Sequence, residues 1–261
     1  MRLPSKARSC LMIIATAQVV ALSLLYKQAG TLDLIAHAGG SVRGLPMTNS
    51  LAAMDATLAT GVTKIEIDFH HLADGTIVCA HDWDAFGGQP PSRTAWEASF
   101  RDDDRPEPCT VRSVGAWLRA NPGATIVTDA KTDQRTVLEQ LKASDWPTSQ
   151  TLVQIYDPSE ADAVAKMGFS RQIITLYRYR GDLSTVVQLA RDGRVEAVTM
   201  PERMVAQGHA RMFADTDVPV FTHTVNGWLP AGIHALRGVD GIYTDNTQTP
   251  FWHPFTHARS P

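Results

Sequence analysis

Lys64-Ile-Glu-Ile-Asp-Phe-His-His-Leu-Ala-Asp-Gly-Thr-Ile-Val-Cys-Ala-His-Asp82 decides how the rest of the chain is read. Ile65, Ile67 and Phe69 alternate with Glu66, Asp68 and His70, the period of two that a strand imposes, so both carboxylates leave on one face. Asp74-Gly75 marks a hairpin, since the central residues of a two-residue type I′ turn need positive φ, and 76–80 reads as the returning strand. A turn centred there sets His81 opposite Asp68. A glutamate, an aspartate and a histidine then share one small surface.

Outward from this stretch, short apolar or β-branched runs alternate with helical patterns. Strands are expected near 32–37, 64–69, 124–130, 151–155, 172–177, 195–199, 218–223 and 241–244, with helices near 50–59, 111–120, 134–143, 159–167, 183–192, 201–213 and 229–236. Strand-helix alternation implies a parallel sheet, and eight such strands imply an α/β (β/α)₈ TIM barrel with 76–80 as a hairpin extension on the second strand. Both carboxylates and His81 then gather on the carboxyl-end rim, where barrel enzymes place their chemistry. Residues 83–108, with Gly87-Gly88, Pro90-Pro91 and the acidic run at 102–104, read as an irregular excursion over the mouth.

The chain has 261 residues, 44% hydrophobic and 20% charged, enough for a sizeable core. Its net charge of −3 and the lack of a basic run argue against a nucleic-acid partner. Three cysteines fit neither a disulfide framework nor a zinc pattern, and Cys79 reads as a small buried apolar group rather than as half of a bond to Cys109.

Before the barrel, Arg2, Lys6 and Arg8 precede an apolar run from Cys10 to Leu25. That is the pattern of an export signal or a signal anchor, with a helix of the fold itself as the third reading. The first Ala-x-Ala match beyond the apolar run, Ala36-His37-Ala38, would cut away a histidine with a role below. An uncleaved hydrophobic helix is therefore expected, anchoring an exported domain to the membrane through 10–26. The domain boundaries follow: 1–31 leader and linker, 32–250 barrel, 251–261 tail.

Other strand ends supply further groups. The first ends in Ile35-Ala-His-Ala-Gly-Gly40 and presents His37; the third ends in Val127-Thr-Asp-Ala-Lys131 and puts Asp129 and Lys131 on one face. Glu66, Asp68 and Asp129 at adjacent strand ends repel one another unless a cation holds them, and an all-oxygen set suits Mg²⁺ or Ca²⁺ better than zinc. His37 and His81 beside such a cation suggest a general base and a general acid, with Lys131 on a phosphate oxygen. Asn49 sits at a helix start, where capping and ligand contact are both open readings. Asn226 and Trp228, in the loop after the seventh strand, are candidates for the substrate wall. His70, His71, His223, His253 and His257 read as surface or packing groups.

Ile35-Ala-His-Ala-Gly, Thr48-Asn-Ser-Leu, Ile65-Glu-Ile-Asp, Ala80-His-Asp, Asp129-Ala-Lys and Gly238-Val-Asp-Gly-Ile-Tyr-Thr-Asp245, taken in order, resemble the motifs of the glycerophosphodiester phosphodiesterase family. The resemblance implies a barrel of the phosphatidylinositol-phospholipase-C-like kind and hydrolysis of a small glycerophosphodiester-like substrate to an alcohol and a phosphomonoester. It also implies a divalent metal on Glu66, Asp68 and Asp129, with acid–base roles for His37 and His81. A lyase ending at a cyclic phosphate and a non-catalytic phosphodiester-binding barrel are the alternatives. The chain departs from the family pattern at Ala38, where an arginine is common, at Thr48, where a glutamate is usual, and at Asp129, where a longer glutamate is usual. Arg43 is the guanidinium nearby that could stand in for the missing one.

Overall fold

A computed structural model describes residues 5–101 and 105–249, with the side chains of 5–12 left outside that description. Arg2, the side chains of Lys6, Arg8 and Cys10, the acidic run at 102–104 and the tail with His253 and His257 lie outside that description. In chain order the elements are α1 (Ser5–Ala29), β1 (Asp33–Ala36), α2 (Leu51–Leu58), β2 (Lys64–His71), β3 (Ile77–Cys79), α3 (Arg93–Ala98), α4 (Val111–Ala120), β4 (Thr125–Ala130) and α5 (Gln134–Ala143). They continue as β5 (Thr151–Ile155), α6 (Ala161–Lys166), β6 (Gln172–Thr175), α7 (Leu183–Arg191), β7 (Ala197–Pro201), α8 (Glu202–Ala206), β8 (Val220–His223), α9 (Trp228–Leu236) and β9 (Gly241–Thr244).

Eight of these strands pair in parallel in the order β1-β9-β8-β7-β6-β5-β4-β2, and β2 returns to β1 to close the barrel. Alternation along each strand sorts its side chains. Outward-facing Ile65, Ile67, Ile126, Val153, Ile174 and Ile242 join the helices in the main core. Inward-facing Ile35, Val127, Leu152, Ile173, Ala197, Phe221 and Tyr243 form a separate apolar plug inside the barrel. One step further along the same inward parity, the residues become polar. That switch makes a floor of apolar side chains beneath a polar mouth.

β2 is the strand on which the site depends. Its first residues, Lys64 and Ile65, pair with β1, whereas Phe69, His70 and His71 pair with the antiparallel β3. Glu66 and Asp68 therefore lie at the fork between the barrel wall and its extension. The hairpin register differs from the expected one. His70, not His71, stands opposite Val78, and the turn bonds are Leu72 N–H to Thr76 O and Gly75 N–H to Leu72 O, both 2.9 Å. The loop thus has three residues, with left-handed Gly75 closing it at φ 81°, a known alternative to the two-residue turn. Ala80, rather than His81, is bonded opposite Asp68.

Three other expectations change. Cys79 and Cys109 are joined by a disulfide across 30 residues, tying β3 to the far end of the excursion. Two cysteines on either side of a long loop carry no spacing signal, so pairing was hidden until both ends were placed. The excursion is not wholly irregular: Ser92 caps α3 by accepting from Ala95 N–H. Ser50, accepting from Ala53 N–H, caps α2, which releases Asn49 from that duty.

α1 reaches the barrel only by its last turns. A Cβ at Gly232 of α9 would lie 2.3 Å from the Leu25 carbonyl oxygen, so glycine is what lets the two helices touch backbone to backbone. Tyr26 meets Trp228 edge-on at 5.9 Å between ring centroids, and Ala29 is fully buried. Ile13, Ile14, Val19, Val20, Leu22 and Leu24 are all exposed. Among the described residues no helix is long and apolar enough to cross a membrane.

Candidate active site

The inward polar side chains line a cavity of about 310 Å³ at the carboxyl ends of the strands, with His37, Glu66, His81, Asp129 and Lys131 on its wall. Asp68 and Asp129 are register partners on β2 and β4, and Glu66 is two residues back on the same face. Oxygens of the three carboxylates lie within 4.8 Å of one another. Asn49 fixes the middle one: its Nδ2 donates to Asp68 Oδ2 at 2.9 Å, and its Oδ1 accepts from the Asp68 backbone N–H at 3.0 Å. Asn49 thus positions a carboxylate, at a left-handed φ of 47°.

Burial and the charges of Asp68 and Asp129 push the Glu66 carboxyl well above its ordinary pKa. The Ala38 N–H, donated to Glu66 Oε2 at 2.7 Å, opposes this only in part. Lys131 places its ammonium between the other two, 3.1 Å from Asp68 Oδ1 and 2.8 Å from Asp129 Oδ2. Burial works against that ammonium, yet the three surrounding carboxylates hold its pKa above the usual lysine value. The Tyr156 hydroxyl donates to the remaining Asp129 oxygen. Buried Asp68 Oδ1 has the Lys131 ammonium beside it but no hydrogen bond of good geometry, and the Glu66 carboxyl is pushed towards its protonated form. Those two observations fit a site short of positive charge, and the all-oxygen donor set fits a hard divalent cation.

Each candidate histidine is held by a carboxylate. His37 sits on the turn after β1, its Nδ1 2.7 Å from Asp245 Oδ1. Asn226 steadies that aspartate, donating from Nδ2 to Oδ2 at 2.7 Å and accepting the Asp245 backbone N–H at 2.8 Å. Burial raises the Asp245 pKa, but the hydrogen bonds from His37 and Asn226 outweigh it and leave the carboxyl below its ordinary value. His81 follows β3 at a bend, and its Nδ1 lies 2.8 Å from Asp82 Oδ2. The bend brings the ring to the cavity despite the shifted register. With Nδ1 engaged in both rings, Nε2 is the nitrogen left to face a reactant.

Not every expected residue arrives. Lys131 lines the cavity with its ammonium already held by two carboxylates. Asn226 serves Asp245 and Trp228 packs on α1; neither lines the cavity. Arg43 is exposed on a turn of its own at φ 53° and does not line it either. In exchange come residues that the sequence reading left out. His223, taken there for a surface or packing group, lines the cavity; its Nδ1 is 2.6 Å from the Tyr177 hydroxyl, and burial drives its pKa down to about 3. Tyr156 and Arg178 join it, the guanidinium carbon 4.6 Å from the Tyr156 ring centre. Tyr156, Tyr177 and Asp245 each continue the inward parity of a strand past its end, and His223, the last residue of β8, keeps it. That was the available signal. Arg178 breaks the parity and had none. His70, expected as a surface or packing group, tilts against Trp83 with ring centroids 5.1 Å apart.

No family model matches the sequence, and among curated proteins no match is found. Solved structures do match. A glycerophosphodiester phosphodiesterase from Parabacteroides distasonis superposes with a TM-score of 0.66 at 16% identity, over 88% of this chain and 99% of that one. The enzyme of the same description from Thermotoga maritima gives 0.63 at 18%, over 87% and 98%. An Oleispira antarctica phosphodiesterase, solved with the product sn-glycerol-3-phosphate, gives 0.63 at 16%, over 87% and 96%. The fold is the (β/α)₈ barrel of these structures. Identity this low carries the fold and leaves the activity to be argued from the site.

Proposed function

We propose that this protein is a phosphoric diester hydrolase of the glycerophosphodiester phosphodiesterase kind, cleaving small glycerophosphodiester-like substrates to an alcohol and a phosphomonoester. What carries the reading is the meeting of Glu66, Asp68 and Asp129 with two carboxylate-anchored histidines at one mouth. Likeness to phosphodiesterase structures supports it.

A divalent cation, Mg²⁺ or Ca²⁺, would be held by Glu66, Asp68 and Asp129; when bound it supplies positive charge against a phosphoryl oxygen and an attacking hydroxyl. The protein's own groups do the proton transfers. One imidazole takes a proton at Nε2 from the attacking substrate hydroxyl as its bond to phosphorus forms, and the other gives one from Nε2 to the departing alcohol oxygen as the P–O bond breaks; water then opens the cyclic phosphate, with the two rings exchanging roles, to leave the phosphomonoester. Asp245 and Asp82 keep each ring in the tautomer that leaves Nε2 for this work and offset the charge of the imidazolium. The test is turnover on a panel of soluble glycerophosphodiesters with Mg²⁺ or Ca²⁺ and with chelator. Phosphomonoester released only with the cation is expected. A persistent cyclic phosphate in the phosphorus NMR spectrum would make the protein a lyase, and tight binding without turnover would make it a binding barrel.

Glu66 supplies a second check with a definite sign. Its folded-state pKa lies above the unfolded value of about 4.3, so its contribution to stability is complete below that value and is lost as pH rises through the raised one. A cation takes the proton's place. Added Ca²⁺ or Mg²⁺ should therefore raise the thermal midpoint more at about pH 8 than at about pH 5. An equal shift at both would count against a carboxylate site.

Location is proposed on separate grounds. The buried Cys79–Cys109 bond belongs to an oxidising compartment, which favours export to the periplasmic or extracellular side. Exposed apolar residues along α1 favour attachment to a membrane through 10–26.

A further inference from the structure

The cavity wall carries two permanent cations, and one of them is already engaged. Lys131 is held by Asp68 and Asp129. Arg178, in the loop after β6, rests its guanidinium on the face of Tyr156 and forms no ion pair among the described residues. Glu160 is close enough to feel its charge, but that carboxylate accepts the Tyr156 backbone N–H. A guanidinium lying on an aromatic face keeps the in-plane N–H groups of its edge unspent.

Two other features point to an anion at that edge. Position 38, beside His37, offers only a backbone N–H, which is donated to Glu66. Arg43 lies outside the cavity, so Arg178 is the guanidinium among the described lining residues. Around the barrel, β6 is four strands from β1 in either direction, so Arg178 leaves the rim across from His37. A group held between them faces an imidazole on one side and a forked donor on the other, in a mouth whose three carboxylates would otherwise repel it.

We propose that Arg178 is the phosphoryl-binding residue of this cavity, donating a pair of N–H groups to the non-bridging oxygens of the reacting phosphodiester. The proposal rests on the phosphodiesterase reading for the identity of the anion. It does not need turnover to be tested.

The experiment titrates glycerol 3-phosphate, with neutral glycerol as control, into the full chain loaded with Ca²⁺, comparing wild type with Arg178→Ala and Arg178→Lys. Loss of a charge-assisted pair at a partly exposed rim should weaken glycerol 3-phosphate by about tenfold to a hundredfold. Lysine should recover only part of that, because it lacks the planar fork. In hydrolysis the alanine variant should raise KM more than it lowers kcat. Unchanged glycerol 3-phosphate affinity in Arg178→Ala overturns the proposal. So does a loss confined to diesters whose alcohol carries its own phosphate, since the guanidinium would then read the alcohol. If wild type binds glycerol 3-phosphate through Arg178 but cleaves no diester, the hydrolase reading falls and the role of Arg178 stands.

Discussion

Replacing His37 by alanine is expected to lower turnover on a soluble glycerophosphodiester by about two to four decades. The imidazole is oriented from behind by Asp245, which is itself held by Asn226, so ring position and tautomer are set before substrate arrives. His81→Ala should cost a comparable amount, because proton removal and proton delivery are both needed to exchange one P–O bond for another. Neither change touches the apolar plug or the outer core, so far-UV circular dichroism and Ca²⁺ affinity should stay close to wild type. Near-normal rates in both variants would remove the acid–base assignment.

Asp68→Ala should be the most damaging single change at the mouth. It deletes the carboxylate at the centre of the cluster and leaves the Asn49 amide, buried at 2% exposure, without its side-chain partner. Stranding a buried amide costs about 1–3 kcal/mol, a loss that a domain of this size should survive. Catalysis should not survive it: with one of three oxygen donors gone, Ca²⁺ affinity should fall sharply and turnover by about three decades or more. Calorimetric titration with Ca²⁺ beside the rate measurement separates the two effects. Wild-type Ca²⁺ affinity in a folded Asp68→Ala protein would show that the acidic cluster is not the cation site.

The barrel was legible because each of its eight strands is a short apolar or β-branched run bounded by turn residues. β4 and β9 fall where expected to within a residue, and α4 and α5 match their expected ranges. The reach of β2 was less legible. It continues to His71, past the fork, because β3 takes over the edge that β1 leaves. Asp-Gly named a turn but not its length, and a loop of two residues differs from one of three by the facing of every later side chain. His81 survived that slip because its placement depends on the bend after β3.

The acidic cluster could be read from i, i+2 spacing alone, since period two guarantees a shared face. Residues past the strand ends could not be read so surely. Tyr156 keeps the inward parity past the end of β5, yet nothing local says that a chain leaving a strand will hold it for one more step. Arg178 depends on how a loop folds back, and Cys79 with Cys109 on where a long excursion ends. Both are settled by tertiary contacts that leave no periodic trace.

The cross-link has a bearing on when the molecule becomes competent. It anchors the base of the arm that carries one of the two proton-transferring rings, while the shell of helices around the barrel is complete without it. A chain whose two cysteines are still reduced would thus possess its architecture before one half of its chemistry is tethered, and closing the bond would act as the last step of maturation.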